Sequence, residues 1–390
     1  MHETDLASRV RTVLRAAPGA SDVLFLPGQP AMALLDGALT ELPKEPGASL
    51  SPEETDRLVQ ELLGQETRLL DALATRGACD LSYRHPDGVR FRVNVFRTMD
   101  RLGLVLRRLP DVPPALGSLG LPPVTGRMVA LTDGLVLVAG ATGSGKSTTL
   151  AALLADIVAV RPVHAISLED PVEFLHTPRK GVVTQRELGT DFPDFAEGLR
   201  AALRQAPQVL LVGELRDRET VETCLAAAET GHLVLASIHT ADCAGAVERL
   251  LAFFPAAEQA LARSRLAGSL RYVLAQRLIP RLTGGRVAAV EVLAATLRTR
   301  ERIAAGETDS LGFRDIMEQG APYGMTTFDA SMAALFAAGI VTEAAVLDRS
   351  TDRGAVSRAL DAVKADRGQP VSTITGLELD RPDIIRDNTV

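Results

Sequence analysis

Gly140-Ala141-Thr142-Gly143-Ser144-Gly145-Lys146-Ser147 is the segment with the most specific chemistry in this chain. It matches G-x-x-x-x-G-K-[ST]. In such a loop the glycines let backbone N–H groups turn inward around phosphate oxygens. Lys146 then reaches the β and γ phosphates, and the Ser147 hydroxyl is placed to ligate Mg²⁺. Thr148 continues the loop into a helix whose positive end faces the same anion. The expected ligand is a nucleoside triphosphate with its metal.

Acids follow at separate points. The apolar run Val209–Val212 ends in Gly213-Glu214-Leu215-Arg216-Asp217. Many P-loop enzymes carry Asp-Glu at this point, whereas this chain has Gly213-Glu214. Glu214 is the candidate base or water-orienting group. Glu169, Asp170 and Glu173 crowd the end of another apolar run, which suits a metal or water site; alone, they would read as a solvated acidic loop. Of six histidines, His232 and His239 bracket the run Leu233–Ser237. An imidazole beside a γ-phosphate can hydrogen-bond it, while an isolated one is more often packed structure.

These groups need elements to hold them. Leu135–Ala139, His164–Leu168, Val209–Val212 and Leu233–Ser237 read as short buried strands. Helical patterns, one from Lys146 to about Ala159, separate most of them. That alternation predicts an α/β fold with a mostly parallel sheet and crossover helices. Upstream, the spacing of Leu6, Val10, Val13 and Leu14 predicts an amphipathic helix. Ser21–Leu26 reads as a strand. Ser51-Pro52-Glu53-Glu54 is a helix start. Pro86-Asp87-Gly88 reads as the turn of a hairpin between Leu81–Arg84 and Val89–Arg97, with Arg101–Leu109 as the next strand. Residues 1–109 are therefore expected to form a small α+β domain. Pro110–Gly126, with five prolines, reads as a linker with turns or as a loop packed on one domain. The region after about residue 245 is Ala- and Leu-rich and is expected to be mainly helical. Residues 376–390 read as a disordered tail.

Composition narrows the class. The chain has 390 residues, 46% hydrophobic and 23% charged, as a folded globular protein does. Its net charge of -7 counts against a dedicated nucleic-acid binder. Cys79, Cys224 and Cys243 form no C-x-x-C pair, which fits a reducing compartment. No basic-then-apolar leader and no apolar run near 18 residues is visible, so the expectation is a cytoplasmic chain without a membrane span.

Taken together, Gly140–Ser147, Leu168–Phe174, Gly213–Asp217, Ala228-Glu229-Thr230-Gly231-His232 and Ile238-His239-Thr240 resemble the secretion ATPase superfamily of type II secretion, type IV pili and type IV secretion. Within it the chain is most similar to the pilus retraction (twitching-motility) ATPases. Similar segments extend the resemblance over roughly residues 5 to 350, among them Ala20–Val23, Phe91–Phe96, Phe254–Glu258 and Gly285–Ala289. The resemblance implies a PAS-like N-terminal domain (1–109), a linker (110–126), a RecA-like ATPase core (127–295) and a helical C-terminal region (296–375). It implies ATP and Mg²⁺, with Ser147 and Glu169 at the metal and Glu173, Glu214, His232 and His239 in the catalytic boxes. Arg92 and Arg107 match N-terminal arginines that approach the nucleotide, with Arg90 and Arg97 as weaker matches. A homohexamer at the inner membrane, working with a platform protein and not with nucleic acid, is implied. The assembly branch carries a four-cysteine metal module that this chain lacks. The retraction branch carries Ala-Ile-Arg-Asn-Leu-Ile, of which only Arg300 and Ile303 align in Leu297–Ile303. The motor of a related secretion or conjugation system, and an ATP-binding regulatory ring subunit, stay open beside retraction.

Overall fold

A computed structural model describes residues 5–35, 38–42, 50–306 and 312–369. The expected tail at 376–390 lies outside the described residues.

The N-terminal part is a six-stranded antiparallel sheet. Its strands are β1 (Asp22–Phe25), β2 (Met32–Leu35), β3 (Ala38–Glu41), β4 (Ala78–Arg84), β5 (Arg90–Thr98) and β6 (Arg101–Leu109), in the order β3-β2-β1-β6-β5-β4. Helices Leu6–Ala16, Pro52–Leu63 and Thr67–Arg76 accompany it. Asp5, not singled out as a cap from the sequence, caps the first helix, its carboxylate accepting from the Ser8 amide at 2.7 Å. Ser51 and Glu54 form a reciprocal capping box with Pro52 in the first turn, which satisfies two otherwise orphan amides. Phe25, Val93, Val95, Leu104 and Leu106 sit in the core between sheet and helices, each essentially inaccessible to water.

The second sheet has seven strands: β7 (Gly134–Ala139), β8 (His164–Glu169), β9 (Val182–Glu187), β10 (Val209–Val212), β11 (Leu233–Ile238), β12 (Leu270–Pro280) and β13 (Arg286–Ala294). Their order is β13-β12-β7-β11-β10-β8-β9. All neighbours are parallel except the β12–β13 pair. β7 lies inside the sheet, between β12 and β11, and is buried along its whole length. Parallel strands covered on both faces read as unbroken apolar runs, which is why the four short runs were visible.

Helices predominate after residue 245 among the described residues, but they are interrupted by an unexpected element: β12 and β13 form a long hairpin between the helix Gln259–Ser269 and the helix Leu297–Ala305. Both strands are buried for most of their length, so they show no alternation, and Ala and Leu do not distinguish a buried strand from a helix. Thr283-Gly284-Gly285 was the available turn signal; both glycines have positive φ. Helices return from Leu297 onward, ending with Arg353–Asp366. The proline-rich segment 110–126 is packed: Leu116 and Val124 are buried, and the Leu175 amide donates to Asp111 O at 2.8 Å.

Candidate functional site

The phosphate loop joins β7 to the helix Lys146–Val160. Gly140, Gly143 and Gly145 have φ of +149°, +77° and +92°, which L side chains rarely adopt. Lys146 Nζ is folded into the loop, donating to Gly140 O at 2.9 Å and Ala141 O at 3.0 Å. Burial lowers its pKa, while the nearby Glu214 and Glu173 charges pull the other way. Ser144 Oγ is buried with no partner. A loop with inward-turned backbone, a folded-in lysine and an orphaned hydroxyl is matched to an anion. Beneath it, Gln276 of β12 donates to Thr149 Oγ1 at 2.8 Å and braces the helix.

The acids close the other side. Glu169 ends β8 and accepts from Ser167 Oγ at 2.7 Å and from the Glu173 amide at 3.4 Å. Burial raises its pKa against these hydrogen bonds. Glu173 accepts from Ser147 Oγ at 3.1 Å. Glu214 follows β10. Its Oε1 lies 3.4 Å from His239 Nε2, and its Oε2 accepts from Arg216 Nε at 2.7 Å. Arg216 also reaches Asp170 Oδ2 at 3.2 Å, so it bridges the two acidic segments. His239 has its pKa lowered by burial and by the Lys146 charge, with Glu214 opposing. Burial and Lys146 thus favour its neutral form, beside the Glu214 carboxylate that favours the charged one.

These groups line one cleft of about 660 Å³ at the carboxyl ends of the parallel strands, where open α/β sheets bind ligands. Thr142, Gly143, Gly145, Lys146, Ser147, Thr148, Glu169, Glu173, Glu214, His239 and Arg92 all face it. Gly140, Ala141 and Ser144 are the loop positions outside that lining. Ser147 and the two carboxylates are hard oxygen donors of the kind Mg²⁺ takes. No cluster of three or more His, Cys, Asp or Glu able to hold a metal occurs among the described residues.

Two expected residues stand elsewhere in the single chain. His232 precedes β11 and His239 follows it, so a six-residue strand separates them, roughly 20 Å at 3.3 Å per residue. His232 Nδ1 lies 3.1 Å from Ala227 O, closing the preceding helix; it is not a cleft residue of its own chain. Arg107 pairs directly with Arg92 across β5 and β6 but is held by Asp22 at 2.8 Å. Arg90 turns instead to the carbonyls of Val172 and Glu173. The cleft also takes His176, Arg216, Leu278 and Arg286, which motif reading passed over. Arg216 and Arg286 lay inside quoted segments, while Leu278 and Arg286 belong to the unrecognised hairpin.

Comparison with known proteins fits this geometry. Residues 80–316 match the family model described as type II/IV secretion system protein. The chain belongs to this family. It is 38% identical over 329 residues to the type IV pilus retraction ATPase PilT of Pseudomonas aeruginosa, covering 84% of this chain and 93% of that one. It is 36% identical over 330 residues to the type IV pilus ATPase PilU of the same organism, covering 84% and 85%. The crystal structure of the pilus retraction motor PilT with bound ADP superposes with a TM-score of 0.80 at 34% identity, covering 91% of this chain and 99% of that one. The mixed α/β architecture is thus that of the family's ATPases.

Proposed function

We propose that the chain is an ATP-hydrolysing motor of a type IV pilus machine, of the retraction or pilus-dynamics type, working as a ring of six subunits. The observation that carries this is the single cleft in which Lys146, Ser147, Glu173, Glu214 and His239 converge. The family membership and the likeness to a retraction motor supply the class of work.

On this reading ATP lays its phosphates in the loop, and Lys146 exchanges the Gly140 and Ala141 carbonyls for phosphate oxygens. Ser147, with Glu169 and Glu173, holds Mg²⁺, which when bound neutralises phosphate charge. Glu214 orients water and takes its proton. His239, already on Glu214, couples the γ-phosphate to that carboxylate. Arg92 comes from the N-terminal sheet and stabilises charge developing on the phosphoryl group; Arg107, held by Asp22, takes no part in this cleft of its own chain. We assign residues 1–109 as a PAS-like domain, 127–295 as a RecA-like core and 296–375 as a helical region. The ring sits in the cytoplasm against an inner-membrane platform protein. Leu297–Ile303, in which only Arg300 and Ile303 align with the segment of the retraction branch, favours a second reading. In it the same ATPase serves a related type IV secretion or conjugation system. An ATP-binding regulatory ring would dispense with Glu214.

The test is Mg²⁺-dependent hydrolysis by the purified protein. Lys146→Ala should abolish binding and turnover. Glu214→Gln should keep ATP binding and lower kcat by about 10²–10⁴-fold. A wild-type ring that hydrolyses no ATP, with or without its membrane partner, would overturn the proposal. A Glu214→Gln protein with full biological activity would mean a regulatory ring.

A further inference from the structure

Arg90 and Arg92 lie two residues apart on β5 and so project from the same face of the N-terminal sheet. Arg92 lines the cleft. Arg90 does something different. Its guanidinium is buried, the residue being 8% exposed, and it donates to Val172 O and, at 3.3 Å, to Glu173 O. A second arm meets the same backbone. Glu187 accepts from the Val172 amide at 3.1 Å and from Ser82 Oγ of β4 at 2.9 Å. The backbone at 172–173 is therefore gripped on both its carbonyls and one amide, by groups from, or tied to, the N-terminal sheet. The Glu173 side chain in turn accepts from Ser147 Oγ at 3.1 Å, in the first turn of the phosphate-loop helix.

We propose that Arg90 is a positioning residue through which the N-terminal sheet sets the placement of Glu173 against Ser147. The inference deepens the ATPase reading and rests on it. Burial is an unfavourable setting for a guanidinium, and its pKa is lowered for that reason. Among the described contacts its hydrogen-bond partners are carbonyls of the acidic segment, and no carboxylate bonds it directly. Simple packing would be met by an apolar side chain at less cost. The fork geometry of arginine, with parallel donors, suits two successive carbonyls; lysine offers a point charge without that fork. A tilt of the N-terminal sheet would thus be felt at Glu173 without any direct contact between that sheet and the phosphates.

The experiment uses the full-length protein with Arg90→Met and Arg90→Lys. In nucleotide-free protein, amide exchange over residues 172–175 should quicken about tenfold or more in Arg90→Met, with the helix Lys146–Val160 unchanged. This readout needs no hydrolysis, so it stands apart from failure of the ATPase reading, which would show as inactive wild type. In turnover, kcat should fall about 10–100-fold while the affinity for a fluorescent ATP analogue stays within about threefold. Arg90→Lys should recover little of that loss. Arg90→Met combined with Glu173→Gln should lose no more than the worse single variant, since both act through one contact. If Arg90→Met fails to fold, Ser82→Ala removes the second arm near the surface and should give the same exchange signature with about a threefold loss in kcat. Unchanged exchange at 172–175, or losses that multiply in the double variant, would overturn the inference.

Discussion

Replacing Gly140 by alanine should damage the phosphate loop far more than its single added methyl suggests. An ideal Cβ there stands 2.3 Å from Ser144 Oγ and 2.7 Å from the backbone oxygen of Gln276. The serine can rotate, but the Gln276 carbonyl belongs to β12, which pairs with β7 itself. The φ of +149° adds backbone strain, about 1–3 kcal/mol for a residue with a side chain. Overpacking against fixed backbone adds about 1–3 kcal/mol more. The combined cost is about 2–6 kcal/mol. It appears either as lost stability or, if the loop swings away to relieve it, as lost phosphate binding. The low end alone is about 30-fold in affinity. Urea unfolding of nucleotide-free protein and titration with a fluorescent ATP analogue together capture both routes. Gly143→Ala is the internal control for stability. Its φ is +77° with nothing within 4 Å of the added atom, so only about 1–2 kcal/mol of left-handed strain applies. If Gly140→Ala matched wild type in both assays, or cost less stability and affinity together than Gly143→Ala costs in stability, the steric reasoning would be refuted.

Burial holds the His176 ring neutral, with its pKa lowered from 6.5 to about 4. Below pH 6.5 the unfolded chain takes up a proton that the folded chain refuses, so stability falls between about pH 6.5 and 4, by up to roughly 3 kcal/mol. Glu169, whose pKa is raised, gives the opposite slope, with stability lost as pH rises through its window. The difference between wild type and His176→Asn in urea unfolding against pH isolates the histidine. A parallel pair of curves would refute it. Arg92→Ala should lower kcat at least tenfold with ATP affinity nearly kept, as expected of a residue serving charge developed in transfer; equal losses in affinity and kcat/KM would assign it to ground-state binding instead.

The residues themselves determined the phosphate loop, because its demands are local. Only glycine accepts φ of +149° or +92° at those points, and one lysine and one hydroxyl at fixed spacing complete the device. Caps and turns were legible for the same reason: Ser51 with Glu54, and Pro86-Asp87-Gly88, act on neighbours within a few residues. The family resemblance followed from the order of such short motifs. The β12–β13 hairpin was not legible, since a strand buried on both faces carries no period and its identity lies in pairing with β7, more than 130 residues away. Arg216 bridging Glu214 to Asp170 joins segments 46 residues apart. Arg90 reaches a backbone 82 residues away, so no spacing rule could foresee it. His232 and His239 were both candidates in sequence, with His239 favoured; strand direction put His239 in the cleft and His232 at the far end of β11. Residue type and local geometry fixed what the site could bind, while sheet order and domain packing decided which side chains share it.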